Sequence, residues 1–222
     1  MAPPSSISRP ANSLASQTLT GGVAVVGAVQ TIFGSTDGDY VYLGVTGNTV
    51  AVLGVETLIG SDGRDYVSLG GGRIILIGVE TLTGGADPDW VELGAKGSTM
   101  LLSGVDTLIG GRGADFITLG PAGSTMAAIG LETLVGGAGL DFITLGARGS
   151  SLILVGIETL IGGANTDIVT LGDRGSSIIM IGIETLTGGR GLDLVTIGER
   201  GATMLISGLE TLAGGAARDW IN

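Results

Sequence analysis

The chain contains no cysteine and no histidine in 222 residues. Without thiols there is neither a disulfide framework nor a thiolate metal site. Without imidazole, a Ser-His-Asp triad, a Cys-His pair and a His-ligated zinc centre are all excluded. Aromatic residues make up only 4% of the chain, too few for a core built on large rings. Positive charge is scarce as well: 10 basic residues stand against 21 acidic ones, a net charge of −11. That balance disfavours nucleic acid and anionic headgroups as partners and favours metal cations. No apolar run approaches the roughly 18 residues of a membrane helix. Glycine or a polar residue interrupts every few positions, so the mean hydropathy of +0.55 points to burial inside a fold rather than a membrane span. The N-terminal stretch 1–17, MAPPSSISRPANSLASQ, lacks the apolar segment of a secretory leader. It reads as a Pro/Ser-rich arm, with the folded body running from 18 to 222.

What the chain has in excess is glycine, 44 residues, nearly three times the usual share of about 7%, and it is distributed in a repeat. Aligned on the acidic position of "ETL", units begin at Gln30, Glu56, Glu80, Asp106, Glu132, Glu158, Glu184 and Glu210, a 26-residue spacing shortened once to a 24-residue one. Nine positions later comes an aspartate every time: Asp39, Asp65, Asp89, Asp115, Asp141, Asp167, Asp193 and Asp219. The short unit lacks two positions at "LGGGRII", in a turn, where length changes are tolerated.

A unit such as "ETLIGGANTDIVTLGDRGSSIIMIGI" holds three short runs rich in Val, Ile and Thr, separated by glycine punctuation. Runs this short are strands, not helices. The sequence therefore predicts an all-β parallel β-solenoid of about eight coils, each coil one 26-residue unit with three short strands, stacked about 4.8 Å apart. Alternation sets the faces: Ile117 and Leu119 point inward with Leu152 and Leu154, while Phe116 and Thr118 point out. Outward positions form two apolar stripes. One is Tyr40, Tyr66, Trp90, Phe116, Phe142, Ile168, Leu194 and Trp220; the other is Ile153, Ile179, Leu205 and their equivalents. Such stripes are read either as ladders of stacked like residues or as surfaces for lateral association.

Three segments, "GGRGADFIT" (110–118), "GGAGLDFIT" (136–144) and "GGRGLDLVT" (188–196), match every fixed position of G-G-x-G-x-D-x-U-x, where U is a large apolar residue. The pattern resembles the haemolysin-type, repeats-in-toxin (RTX) nonapeptide, which implies a Ca²⁺-binding turn. Five further units match in part. "GSDGRDYVS" loses the second glycine; "GSTDGDYVY", "GGADPDWVE", "GGANTDIVT" and "GGAARDWIN" lose the fourth-position one, and those turns are expected to coordinate less well. The resemblance implies metal ligands at the eight aspartates and in the glycine turns Gly110, Gly111 and Gly113, Gly136, Gly137 and Gly139, and Gly188, Gly189 and Gly191. Because intervening sequence separates the nonapeptides, where the family sets them in tandem, one complete calcium row is expected, with the Glu of "ETL" as a second, weaker acidic column.

Electrostatics argues for metal independently. Aspartates stacked about 4.8 Å apart repel by about 1 kcal/mol per pair in water and by several at an effective dielectric of 20. A hard dication taking carboxylate and backbone carbonyl oxygens would relieve this. The turn glycines are expected to supply positive φ. The alternative is an aspartate that only caps its own turn.

Uniform columns of carboxylates, none chemically distinct from its neighbours, give no single place for an active site, so the chain is read as not an enzyme. Both termini stop inside a unit, and the tail of one chain with the head of the next composes about one coil. The reading is a secreted structural protein that assembles head-to-tail, with calcium, into an extracellular filament or layer at the cell surface or in a biofilm matrix. Its partner is itself; nucleic acid and a membrane span are excluded. The alternative is a calcium-dependent RTX folding or binding module of a larger secreted adhesin or enzyme.

Overall fold

The computed structural model describes residues 16–27, 30–198 and 203–222. The arm expected over 1–17 lies, up to residue 15, outside the described residues; Ser16 and Gln17 already belong to a strand, Ser16–Thr18. Every regular element among the described residues is a β-strand, and the strands pair in parallel. The chain divides into two compact units, residues 1–113 and 114–222.

In the first unit two parallel sheets share the chain strand by strand. One holds Ser16–Thr18, Thr31–Phe33, Thr49–Leu53, Tyr66–Leu69, Thr81–Thr83 and Thr99–Ser103; the other holds Gly22–Val26, Asp39–Leu43, Thr57–Ile59, Gly72–Ile77, Asp89–Leu93 and Thr107–Ile109. The second unit follows the same scheme, from Phe116–Leu119 to Trp220–Ile221 in one sheet and from Thr125–Ile129 to Thr211–Ala213 in the other. Each turn of the solenoid thus has two strands, giving about six turns in each unit.

The solenoid is as expected, but the coil is not the repeat. A 26-residue repeat carries three strands and a coil takes two, so two repeats make three coils. Phe142 pairs with Thr159 in the next coil, and Thr159 with Ile179 in the one after. The expected eight coils of three strands are therefore about twelve coils of two. Since three is odd, the same segment of successive repeats falls on opposite sheets: Asp141 precedes Phe142–Leu145 in one sheet, and Asp167 precedes Ile168–Leu171 in the other.

The inward positions are those the alternation indicates. Ile117, Leu119, Leu152 and Leu154 are buried, as are Leu134, Ile143, Leu160, Val169, Met180 and Leu186. Two parallel sheets with aliphatic inner faces need no rings to fill the space between them, which explains the small aromatic content. Corners are closed by a device the alternation does not reveal. At "VGIETL" Gly156 takes φ 63°, a left-handed value that suits glycine, and turns the next residue, Ile157, into the core.

The two apolar stripes do not exist as continuous ladders. Tyr40 and Tyr66 lie on opposite sheets, as do Ile153 and Ile179. Within a sheet threonine flanks the latter two: Ile153 pairs with Thr133 and Thr170, and Ile179 with Thr159 and Thr196. Exposed apolar side chains placed between hydroxyls divide the outer surface into small patches.

Candidate metal centre

Each acidic turn is assembled from three successive coils along one edge of a sheet. The middle coil supplies the aspartate. Asp39, Asp65, Asp89, Asp115, Asp141, Asp167 and Asp193 are all exposed by 2% or less. Burying a carboxylate is expensive unless it is paired or hydrogen-bonded, so its partners decide what the turn is for.

The aspartate's own turn satisfies one oxygen. Oδ2 accepts the N–H four positions back, from Gly85 to Asp89 at 2.8 Å, Gly137 to Asp141 at 2.9 Å, Gly163 to Asp167 at 2.7 Å and Gly189 to Asp193 at 2.9 Å. Asp219, the last of the column, accepts the Gly215 N–H in the same way at 3.2 Å. The turn-capping alternative is thus half of the arrangement. The other oxygen differs: Oδ1 of Asp39, Asp89, Asp141, Asp167 and Asp193 is buried and has no hydrogen-bond partner.

The following coil supplies a second acid. The backbone N–H of each aspartate donates to the carboxylate of the "ETL" position one coil on: Asp39 to Glu56, Asp65 to Glu80, Asp89 to Asp106, Asp115 to Glu132, Asp141 to Glu158, Asp167 to Glu184 and Asp193 to Glu210, all at 2.7–2.8 Å. The two acidic columns of the sequence therefore merge at each edge, with aspartate and its acid in adjacent coils. The coil before contributes a small residue. It is Asn48 beside Asp65, Ser124 beside Asp141, and Gly72 beside Asp89. At Gly71 and Gly72, where the repeat is short, there is a cavity of about 220 Å³ bordered also by Val55 and Glu56.

Like charges in adjacent coils, taken out of water, perturb each other. Burial pushes the Asp89 carboxyl above its ordinary range against the Gly85 N–H, with Asp106 and Asp87 pushing the same way. Asp141 is raised by burial and by Glu158, while the Gly137 N–H and the Ser124 amide and hydroxyl pull it down. The Ser124 amide and hydroxyl lie near enough to favour the charged carboxylate, but neither completes a hydrogen bond to Oδ1.

The turn glycines are needed for a different reason from the one expected. None of Gly136, Gly137, Gly139, Gly188, Gly189 and Gly191 has positive φ. Instead a Cβ on Gly136 would strike the Gly156 carbonyl, one on Gly137 the Gly120 carbonyl, and one on Gly139 the Gly123 backbone. Gly188, Gly189 and Gly191 meet Gly208, Gly172 and Gly175 in the same way, and Gly111 and Gly113 meet Gly94 and Gly97. Coil-to-coil backbone contact, not a left-handed turn, forbids a side chain there. Positive φ occurs at other glycines, Gly123, Gly149 and Gly175 among them.

Among the described residues no three acidic side chains gather at one point. A cation here would take Oδ1 of the aspartate and could draw on the acid of the next coil, which already accepts the aspartate's N–H, and on backbone carbonyls of the turns, the all-oxygen set that suits Ca²⁺. An unpartnered buried carboxylate oxygen fits that ion, and two negative charges in adjacent coils match its two positive ones. The one calcium row expected from the sequence is not what the fold provides. Aspartates alternate between the two edges, and on either edge they recur every third coil.

Fold and turns define a parallel β-solenoid with acidic, oxygen-rich turns of the calcium-binding kind. Residues 51–73, 102–121 and 128–147 match the RTX calcium-binding nonapeptide repeat, in four copies. The chain carries repeats of this family, and such repeats bind calcium. No curated protein and no solved structure matches the chain.

Proposed function

We propose that the protein is an extracellular structural element whose β-solenoid is set by calcium. The observation that supports this reading is the recurring pair of a buried aspartate, one oxygen unpartnered, with an acid in the adjacent coil. Without a cation the row carries uncompensated like charges out of water. With one, the binding energy becomes folding energy, and a chain kept unfolded at low intracellular calcium would fold on reaching the millimolar calcium outside. The reading covers both a free-standing matrix or cell-surface protein and a module within a larger secreted adhesin or enzyme. It contains no catalytic step.

The finer reading is head-to-tail assembly of the solenoid into a filament or layer, which would be a heterologous, non-closing contact between copies of the chain. Electron microscopy of the purified protein in millimolar Ca²⁺ and in chelator tests both levels. Filaments or sheets in calcium are expected; dispersed rods in calcium would remove the assembly reading, and particles of the same shape in chelator would remove the calcium reading.

A further inference from the structure

The eight acidic turns look alike in sequence but fall into chemically different kinds, and the difference cuts across the match to the nonapeptide family. Asp65 lies in a matched segment, 51–73. Its carboxylate is saturated by the protein. Oδ1 accepts the Asn48 backbone N–H at 2.8 Å and the Asn48 side-chain amide at 2.8 Å; Oδ2 accepts the Ser61 N–H at 2.6 Å, and the Ser61 hydroxyl reaches both oxygens at 3.0 and 3.2 Å. Asn48 is the residue that distinguishes this turn, standing where the equivalent residue beside Asp141 is Ser124; Ser61 stands where the Asp141 turn has Gly137, a position that is also serine, Ser35, in the Asp39 turn, where its hydroxyl reaches Oδ2 and not Oδ1.

Asp167 and Asp193 show the opposite. Neither lies in a matched segment, and the Asp167 turn, "GGANTD", has lost the fourth-position glycine. Yet each is buried, spends only Oδ2 on its own turn and leaves Oδ1 unpartnered, while its backbone N–H donates to the acid of the next coil, Glu184 or Glu210. Asp39 and Asp89, also outside the matched segments, leave Oδ1 in the same state. A buried carboxylate oxygen with no donor is costly as it stands and gains most from a cation. One that already accepts three donors must give them up to bind one.

We propose that the turns of Asp39, Asp89, Asp167 and Asp193 are divalent-cation sites, together with that of Asp141, and that the Asp65 turn is a metal-free joint in which Asn48 and Ser61 replace the ion. This rests on the calcium reading above and goes beyond it by saying which turns hold the metal. Departure from the nonapeptide consensus is then not loss of the site. A turn built without the fourth-position glycine, as that of Asp167 is, keeps its site, and what abolishes binding is a donor side chain aimed at Oδ1.

The test is the number of calcium ions bound per full-length chain, measured by equilibrium dialysis with radioactive calcium at saturating concentration. Asp167→Asn and Asp193→Asn should each lower the number by one, and Asp65→Asn should leave it unchanged. The double variant Asn48→Ser, Ser61→Gly, which gives this turn the residues of the Asp141 turn, should raise it by one. This gain cannot come from a failure to fold. Loss of one ion with Asp65→Asn together with no loss for Asp167→Asn, or no gain in the double variant, would overturn the assignment while leaving calcium binding intact. A wild-type chain that binds no calcium would instead overturn the calcium reading itself, and this assignment with it.

Discussion

At the scale of single residues, the aspartate's two oxygens differ: Oδ2 holds the turn, and Oδ1, in five turns, is buried with no hydrogen-bond partner, the oxygen proposed above for a cation. This makes the effect of neutralising it depend on calcium. Asp141→Asn keeps the shape, removes a buried charge and its repulsion from Glu158, and should increase the β-structure that circular dichroism shows in chelator while lowering the melting temperature in calcium. No gain of β-structure in chelator together with a lower melting temperature in calcium would show that the carboxylate is only a structural acceptor. Proton and metal should likewise act in opposite directions. Because the folded-state pKa values of Asp89 and Asp141 are raised, their contribution to the stability of the metal-free fold is full below the unfolded value and is lost as pH rises through the raised ones. In chelator the protein should become more stable as pH falls from 7 toward about 4, the ordinary Asp range. In calcium, protons compete for the same oxygens and the metal-derived stability should fall over that interval. The β-structure seen by circular dichroism at the two pH values without Ca²⁺, and melts at the same values with it, check the crossing. Glycine provides a steric test. Gly137→Ala, which drives a methyl into the Gly120 carbonyl, should cost about 1–3 kcal/mol or more in calcium, as overpacking does; a neutral effect in urea titration would contradict the contact.

At the scale of strands, the determining fact is that three strands per repeat meet two strands per coil. Burial is then set by parity within a strand and not by position in the repeat. Leu160→Ala, at a fully buried position, should cost about 2–5 kcal/mol. Ile153→Thr, on the 46% exposed outer face between Thr133 and Thr170, should stay within about 0.5 kcal/mol of wild type, and denaturant titration of the pair checks the contrast. That much was legible in the sequence: period-2 alternation identified Ile117, Leu119, Leu152 and Leu154 as core because the pleat itself has period 2. How the coil closes was not. A sequence period says nothing about how many strands complete a turn, and equating repeat with coil stacked Tyr40 on Tyr66 and Asp39 on Asp65, which the fold puts on opposite sheets. The signal that resolves this is the recurring 17-residue offset from Asp141 to Glu158 and from Asn48 to Asp65, pairs that lie one coil apart. The role of Asn48 and Ser61 was hidden for the same reason, since their shared contact with Asp65 exists only once neighbouring coils are in register.

At the scale of the whole molecule, a chain of net charge −11 buries acids in rows along its turns, and its apolar core must form against that repulsion. Each cation bound only by the folded state adds about 2.7 kcal/mol at a hundredfold excess over its dissociation constant, so several sites acting together are enough to decide between folded and unfolded, since whole domains are stable by only about 5–15 kcal/mol. Chelation should therefore not merely soften the protein but remove most of its regular structure, reversibly. The most direct measurement is far-ultraviolet circular dichroism followed through thermal melting, in millimolar Ca²⁺ and again in excess chelator with magnesium present. The account predicts a β-sheet spectrum with a cooperative melt in calcium, and in chelator a largely disordered spectrum that recovers when calcium is restored. The same spectrum and the same melting temperature in both would contradict it.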